Sequence, residues 1–202
     1  MKLLYSPASP YARKVVIVAR ETGLDREMEI VAAGAHPVDR NAAVGAVNPL
    51  GKIPALTLAD GTVLYDSRVI CEALNNMAGA DLFPSVGPDR WRALVEQALG
   101  DGLLDAALLL RYETVVREEA QRHAGWVAGQ TAKITEALHD MERRAAGFGT
   151  RWDIGTITIA CALGYLDLRF AEMRWRDNHP VLAAWFEALS ARPSFAATAP
   201  KG

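Results

Sequence analysis

The sequence predicts an α/β module of order β-α-β-α-β-β-α followed by an all-helical domain. Three observations predict it. Short apolar runs of strand length alternate with helix-period stripes at the start of the chain, an Ala-Asp-Gly turn separates two of those runs, and past Pro88 only helical spacing remains.

The elements follow in order. Lys2 to Tyr5 is a short apolar run; Tyr11, Val15, Val18, Ala19 and Thr22 then fall at helical spacing, with Gly23 placed as a C-terminal stop. Glu27-Met28-Glu29-Ile30-Val31 alternates as a strand with one covered face does, and the Ala/Gly-rich stretch after it predicts a loop with an irregular helix. Ile53 to Leu58 and Thr62 to Tyr65 are strand-like runs joined through Ala59-Asp60-Gly61, a hairpin signal. Behind Asp66-Ser67, either of which can cap a helix, Val69, Ile70, Ala73, Leu74 and Met77 form an apolar stripe. The first domain is placed at residues 1–78, a turn-rich linker at 79–88 and the helical domain at 89–202.

Within the helical part, Trp91, Leu94, Val95, Ala98 and Leu99 begin a run to about Arg117. Ile134, Leu138 and Met141 mark a second helix, and Leu182, Trp185, Phe186 and Leu189 a fourth. Between them, Ile157, Ala160, Cys161, Gly164, Tyr165 and Leu168 belong to a helix apolar almost all round, the expected centre of the bundle, with Asp153 as its cap.

Composition excludes several functions. The 202 residues carry 22 basic and 24 acidic side chains with no block of like charge, so neither nucleic acid nor a membrane surface is an expected partner. No stretch approaches the ~20 apolar residues that span a bilayer, and the start MKLLYSP loses its apolar run to two prolines and Arg13-Lys14, against a secretion signal. Cys71 and Cys161 lie apart in apolar stripes, where they read as small buried hydrophobes. The four histidines share no ligand spacing, so neither a disulfide framework nor a metal site is expected and a reducing cytoplasm fits best.

The stretch YSPASPYARKV carries the functional signal. In a thioredoxin-like module the first strand ends in a loop that presents a reactive residue at the start of the first helix, and Pro10 suits an opening helical position. The residue before it is Ser9. Backbone N–H groups and the helix dipole favour an anion there, so its hydroxyl is placed to donate to a thiolate and lower that thiol's pKa. Two readings compete: Ser9 as a plain N-cap, and Ser6 as the active hydroxyl of the same loop. Arg13-Lys14 reads as a solvated or ion-paired face of the helix.

The chain resembles cytosolic glutathione S-transferases, in particular their bacterial branch, over essentially its whole length. SPASPYARKV resembles the family's catalytic loop, NPLGKIPAL (48–56) its Asn-Pro-x-Gly-Lys-Val-Pro signature, and YDSRVICEAL (65–74) its acidic-Ser-x-x-Ile motif. GTITIACALGYLDLR and HPVLAAWFEALSARPSF resemble its last helices. The resemblance implies a cis Ile53–Pro54 peptide and glutathione as co-substrate, with Ile53 pairing its cysteinyl backbone and Lys52 meeting its glycyl carboxylate. Asp66 would take its ammonium and Ser67 its γ-glutamyl carboxylate, a two-sign clamp for a zwitterion. His36 and Arg40 are further contributors from the loop before the signature.

It also implies a second substrate, a hydrophobic electrophile held between the domains, with Tyr11, Leu108, Arg111 and Tyr112 as candidate walls, and a twofold homodimer across the first module and the first long helix. Asp101 and Asp105 on that helix are candidates to reach the partner's glutathione. The activity implied is detoxifying conjugation. A glutathione-dependent reductase, peroxidase or isomerase would use the same binding residues, and a non-catalytic ligand or protein-binding module would keep the scaffold without turnover. Many relatives carry tyrosine or cysteine in the loop. Here no cysteine lies near it, so an enzyme thiolate is not expected and glutathione's own sulfur must react. Thr156 stands where a capping motif usually has aspartate, leaving Asp153 to carry more of that cap.

Overall fold

The computed structural model describes residues 1–201. Its first part is a small mixed sheet of four strands, β1 (Lys2–Tyr5), β2 (Glu29–Ala32), β3 (Ala55–Thr57) and β4 (Val63–Leu64), in the order β2-β1-β3-β4. β1 runs parallel to β2 with Leu3 opposite Ile30, and antiparallel to β3 with Leu3 opposite Leu56. The parallel pair requires a crossover, which α1 (Pro10–Glu21) supplies; the antiparallel β3–β4 pair needs only the Asp-Gly turn. α2 (Ala42–Val47) is the irregular helix expected after β2, and α3 (Ser67–Ala78) follows β4, so the strand and helix order is β-α-β-α-β-β-α. This is a thioredoxin-like domain.

The rest is mostly helical: α4 (Gly87–Val115), α5 (Ala124–Ala145), α6 (Ile154–Arg169), α7 (Pro180–Ala188) and the single turn α8 (Pro193–Ala196). α6 is the buried centre, every residue from Ile154 to Leu166 being buried. α4 packs along it at close range because both helices carry a glycine at the crossing. A Cβ at Gly100 would stand 2.8 Å from Thr158 Cγ2, and one at Gly155 2.7 Å from the Ala93 carbonyl oxygen. The α6 cap is fuller than the sequence suggests. Asp153 Oδ1 accepts the Thr156 N–H and the Thr156 hydroxyl accepts the Asp153 N–H, each at 3.1 Å, so threonine closes the reciprocal box.

α1 packs against α3 on one side and α6 on the other, which seats the first domain on the bundle. That position explains one correction. Arg13 and Lys14 do not form a solvated face, and the ion-paired alternative holds for Lys14 alone; both are buried, because their side of α1 faces α6 and α4 rather than water. The end of the chain returns to the loop between β1 and α1, where the Lys201 N–H meets the Pro7 carbonyl at 3.3 Å.

Candidate active site

The loop from Ser6 to Ser9 is a tight turn closed by the Ser9 N–H on the Ser6 carbonyl at 3.0 Å. Ser9 caps α1: its Oγ accepts the Ala12 N–H at 3.2 Å, and Pro10 takes the opening helical position. The half-buried hydroxyl therefore stands at the positive end of a 12-residue helix. Besides Ser6, half-buried in the same loop, Tyr11 offers a nearby hydroxyl, but it is committed elsewhere. Its OH donates to Asp105 Oδ1 of α4 at 2.5 Å, and burial, reinforced by that carboxylate, pushes the phenol well above its ordinary range.

Tyr165 of α6 lies within electrostatic range of Tyr11, Arg111 and Tyr112. Burial raises the pKa of Tyr112 and of Tyr165, while Arg111 pulls both back. Tyr165, a buried tyrosine that its apolar helix concealed, thus lies near three of the four candidate wall residues. Leu108 stands half-buried one turn before Tyr112 on α4.

The Asn-Pro-Leu-Gly-Lys-Ile-Pro turn is held from inside by Asn48, whose buried side chain donates to the Lys52 carbonyl at 2.8 Å and accepts the Leu50 N–H at 3.0 Å. Gly51 supplies the positive φ of 66° that the turn requires. The Ile53–Pro54 peptide is cis, and Ile53 stands just outside the ladder, which starts at Ala55. Lys52 is exposed. Arg40 braces the turn, donating from Nη2 to the Pro49 carbonyl at 2.7 Å, whereas His36 spends Nδ1 on the N–H groups of Val38 and Asp39 in its own loop.

At the start of α3, Asp66 is the N-cap, its Oδ1 accepting the Arg68 N–H at 2.9 Å, and Ser67 is the first helical residue; the Tyr65–Asp66 peptide is also cis. A chain of charges runs inward from here. Arg68 Nε is 4.0 Å from Asp66 Oδ2 and donates to Asp101 Oδ2 at 3.0 Å, while Asp101 Oδ1 accepts Lys14 Nζ at 2.7 Å. The Lys14 and Asp101 side chains are 0% and 1% exposed, so this pair is a buried one. Burial works against the Arg68 charge, but Asp101 and Asp66 outweigh it and raise its pKa. Both oxygens of Asp101 are thereby used within the chain, so Asp101 is not free to reach a neighbouring copy, whereas Asp105 spends only Oδ1 on Tyr11 and stays exposed. The start of α3 brings an exposed carboxylate, the buried Ser67 hydroxyl, helix N–H groups and a guanidinium within one turn, charges of both signs in one place. Sequence reading missed Arg68, though it follows the Asp-Ser pair directly, and assigned Asp101 to a neighbouring copy rather than to the buried pair with Lys14 behind this turn.

Neither cysteine can act as a nucleophile at neutral pH: burial pushes Cys71 up to about 12 and Cys161 up to about 11. Two concavities, of about 560 and 290 Å³, have walls that include none of Ser9, Lys52, Ile53, Asp66 or Ser67.

A small mixed sheet whose first helix begins on a capping hydroxyl and is hydrogen-bonded to a helical bundle defines a class, that of thioredoxin-like proteins with an appended all-helical domain. Family models narrow it. The model of the glutathione S-transferase N-terminal domain matches residues 8–77 and that of the C-terminal domain residues 124–188, and the chain belongs to the glutathione S-transferase family. It is 34% identical to the uncharacterized GST-like protein YibF of Escherichia coli K12, over 99% of this chain and 98% of that one. It is 28% identical to glutathione S-transferase 3 of Zea mays, over 98% and 92%. Among solved structures, a glutathione transferase family member from Pseudomonas fluorescens Pf-5, crystallised with bound glutathione, superposes with a TM-score of 0.97 at 45% identity, covering 100% of this chain and 99% of that one.

Proposed function

We propose that this protein is a glutathione transferase that conjugates the glutathione thiolate to a hydrophobic electrophile. The observation that carries the reading is the Ser9 hydroxyl at the start of α1, beside a tyrosine whose hydroxyl already donates to Asp105. In this reading Asp66 and Ser67 hold the γ-glutamyl end, with Arg68 adding a cation, Ile53 pairs the cysteinyl backbone, and Lys52 meets the glycyl carboxylate. Ser9 donates to the sulfur, and the positive end of α1 favours the thiolate over the thiol. The thiolate attacks an electrophilic carbon, a C–S bond forms, and the displaced pair leaves with the leaving group or is protonated. Fixing the sulfur near the electrophile supplies proximity, and Tyr11, Leu108, Arg111 and Tyr112 wall the space between the domains. A glutathione-bound relative at 45% identity supports the ligand.

The division at residues 79–88 and the twofold homodimer belong to the same reading. Val69 and Met77 on α3, and Trp91 and Val95 on α4, expose large apolar side chains that a second copy would cover. Cytoplasmic placement is compatible with two buried free thiols.

The deciding experiment follows the ultraviolet absorbance of glutathione bound to wild type and to Ser9→Ala across pH. Ionisation near neutrality in wild type, displaced upward by at least one pH unit in the variant, is the expected result. Bound glutathione that remains a thiol at neutral pH in both proteins overturns the transferase reading in favour of a binding module.

A further inference from the structure

On the face of α1 turned away from Tyr11, a buried cation has no ion-pair partner among the described residues. Arg13 is 3% exposed, and all its hydrogen-bonding partners are neutral: Nη2 donates to the Phe195 carbonyl at 3.1 Å and Nε to Thr198 Oγ1 at 3.4 Å. The guanidinium lies over the Phe195 ring, 4.2 Å from its centroid. Nη1 has no hydrogen-bond partner among the described residues. Burying a charge is costly unless it is paired, and carbonyls or rings solvate a cation without neutralising it.

The acid that acts on Arg13 through space is Asp167, but its carboxylate is already used. Arg176 takes both oxygens, at 2.5 and 2.7 Å, and Trp175 Nε1 donates to one of them at 2.8 Å. Asp167, and Glu187 through space, are thus engaged with Arg176, and Arg13 keeps no ion-pair partner of its own among the described residues. Beside it lies a cavity of about 290 Å³ walled by Arg13, Gly164, Leu168, Phe186, Phe195 and Pro200, with Asp167 at its polar edge. Gly164 matters to the wall, since a Cβ there would stand 2.4 Å from Arg13 Nη1 and displace the guanidinium. A dry cavity of ~150 Å³ accepts a benzene molecule, so the space here suffices for one ring or a short chain together with a charged head.

We propose that this cavity is a second binding site, for a small hydrophobic monocarboxylate. The carboxylate lies against Arg13 and supplies the missing anion, and the apolar body packs among Leu168, Phe186 and Pro200. One carboxylate answers the one guanidinium of this corner that is unpaired among the described residues. None of these walls belongs to the residues assigned to glutathione or its electrophile, so the proposal stands or falls apart from the transferase reading.

The test is a titration of the full-length, glutathione-saturated protein with benzoate and, separately, with the neutral benzamide, read by amide shifts in two-dimensional NMR. The expected result is saturable benzoate binding with shifts centred on Gly164, Leu168 and Phe195, at least tenfold weaker binding of benzamide, and loss of that preference in Arg13→Gln. Leu168→Trp, which fills the cavity from its half-exposed edge without touching the cation, should abolish benzoate binding and leave glutathione affinity unchanged; it decides the matter if Arg13→Gln does not fold. Equal binding of benzoate and benzamide, shifts centred on Tyr11 and Asp105 instead, no saturable binding, or binding that survives Leu168→Trp overturns the proposal.

Discussion

Asp101→Ala should be among the most damaging single changes in the molecule, and the structure sets its scale. The substitution leaves the Lys14 ammonium, 0% exposed, without the carboxylate that now lies 2.7 Å away. Removing one partner of a buried pair costs about 3–5 kcal/mol, because the survivor stays buried and uncompensated. Arg68 also loses a bond at 3.0 Å, but it is largely exposed and recovers water, so its share is at most ~1 kcal/mol. At about 2–4 °C per kcal/mol for a chain of this size, the melting temperature should fall by roughly 6–20 °C. Lys14→Met should cost less than Asp101→Ala, since Asp101 keeps Arg68. Lys14→Met combined with Asp101→Leu should recover most of the loss, because a well-packed apolar pair often equals a buried ionic one. Urea unfolding followed by circular dichroism on all four proteins measures these differences. A loss below 1 kcal/mol in Asp101→Ala, or a double variant no better than that single one, would refute the claim that Lys14 depends on Asp101.

Three further outcomes follow from the same geometry. With pKa values raised to about 12 and 11 by burial, Cys71 and Cys161 should give no rapid reaction with a disulfide reagent at pH 8 in the native protein and two equivalents after unfolding; a fast native equivalent would contradict their burial. Tyr11→Phe removes a neutral donor from an exposed carboxylate, so it should cost about 1 kcal/mol in stability and leave the ionisation of bound glutathione untouched; loss of the thiolate would make Tyr11, rather than Ser9, the donor. Burial alone would raise the Glu21 pKa, but the hydrogen bonds from Arg192 and Ser194 outweigh it and lower the pKa overall. Its stabilisation is therefore present above the ordinary glutamate value of 4.5 and lost as pH falls through the lower folded value, so the melting-temperature gap between wild type and Glu21→Gln should close below about pH 4.5.

Order and type of the elements were legible because each reports a local period. The strands were less so: β3 is Ala55–Thr57 where Ile53 to Leu58 was expected, since Pro54 has no N–H for the ladder and the cis turn keeps Ile53 out of it. α8, four residues long, is too short to show any period. The site divides in the same way. Ser9, Ile53-Pro54 and Asp66-Ser67 are contiguous motifs that keep their meaning locally, whereas the charge chain behind them joins residues 87 and 33 positions apart in sequence. Charged residue types read as surface, and only the fold shows that Arg13, Lys14 and Asp101 lie at the seam between α1 and the bundle.

The choice between Ser9 as cap and Ser9 as active hydroxyl dissolves on the chemistry of the group. A serine oxygen has two lone pairs and one proton; capping Ala12 N–H uses a lone pair and leaves the proton free to donate. The two roles can be separated by how each responds to substitution. As an N-cap, alanine costs about 0.5–2 kcal/mol, whereas glycine costs only a few tenths. As a hydroxyl donor to a thiolate, alanine and glycine are equally deficient. Ser9→Ala and Ser9→Gly should therefore differ in urea midpoint and agree in the upward displacement of the bound thiol's pKa. If the thiol of the Ser9→Gly complex instead ionises as in wild type while Ser9→Ala does not, the functional loss follows helix stability, and the hydroxyl does no more than hold the end of α1.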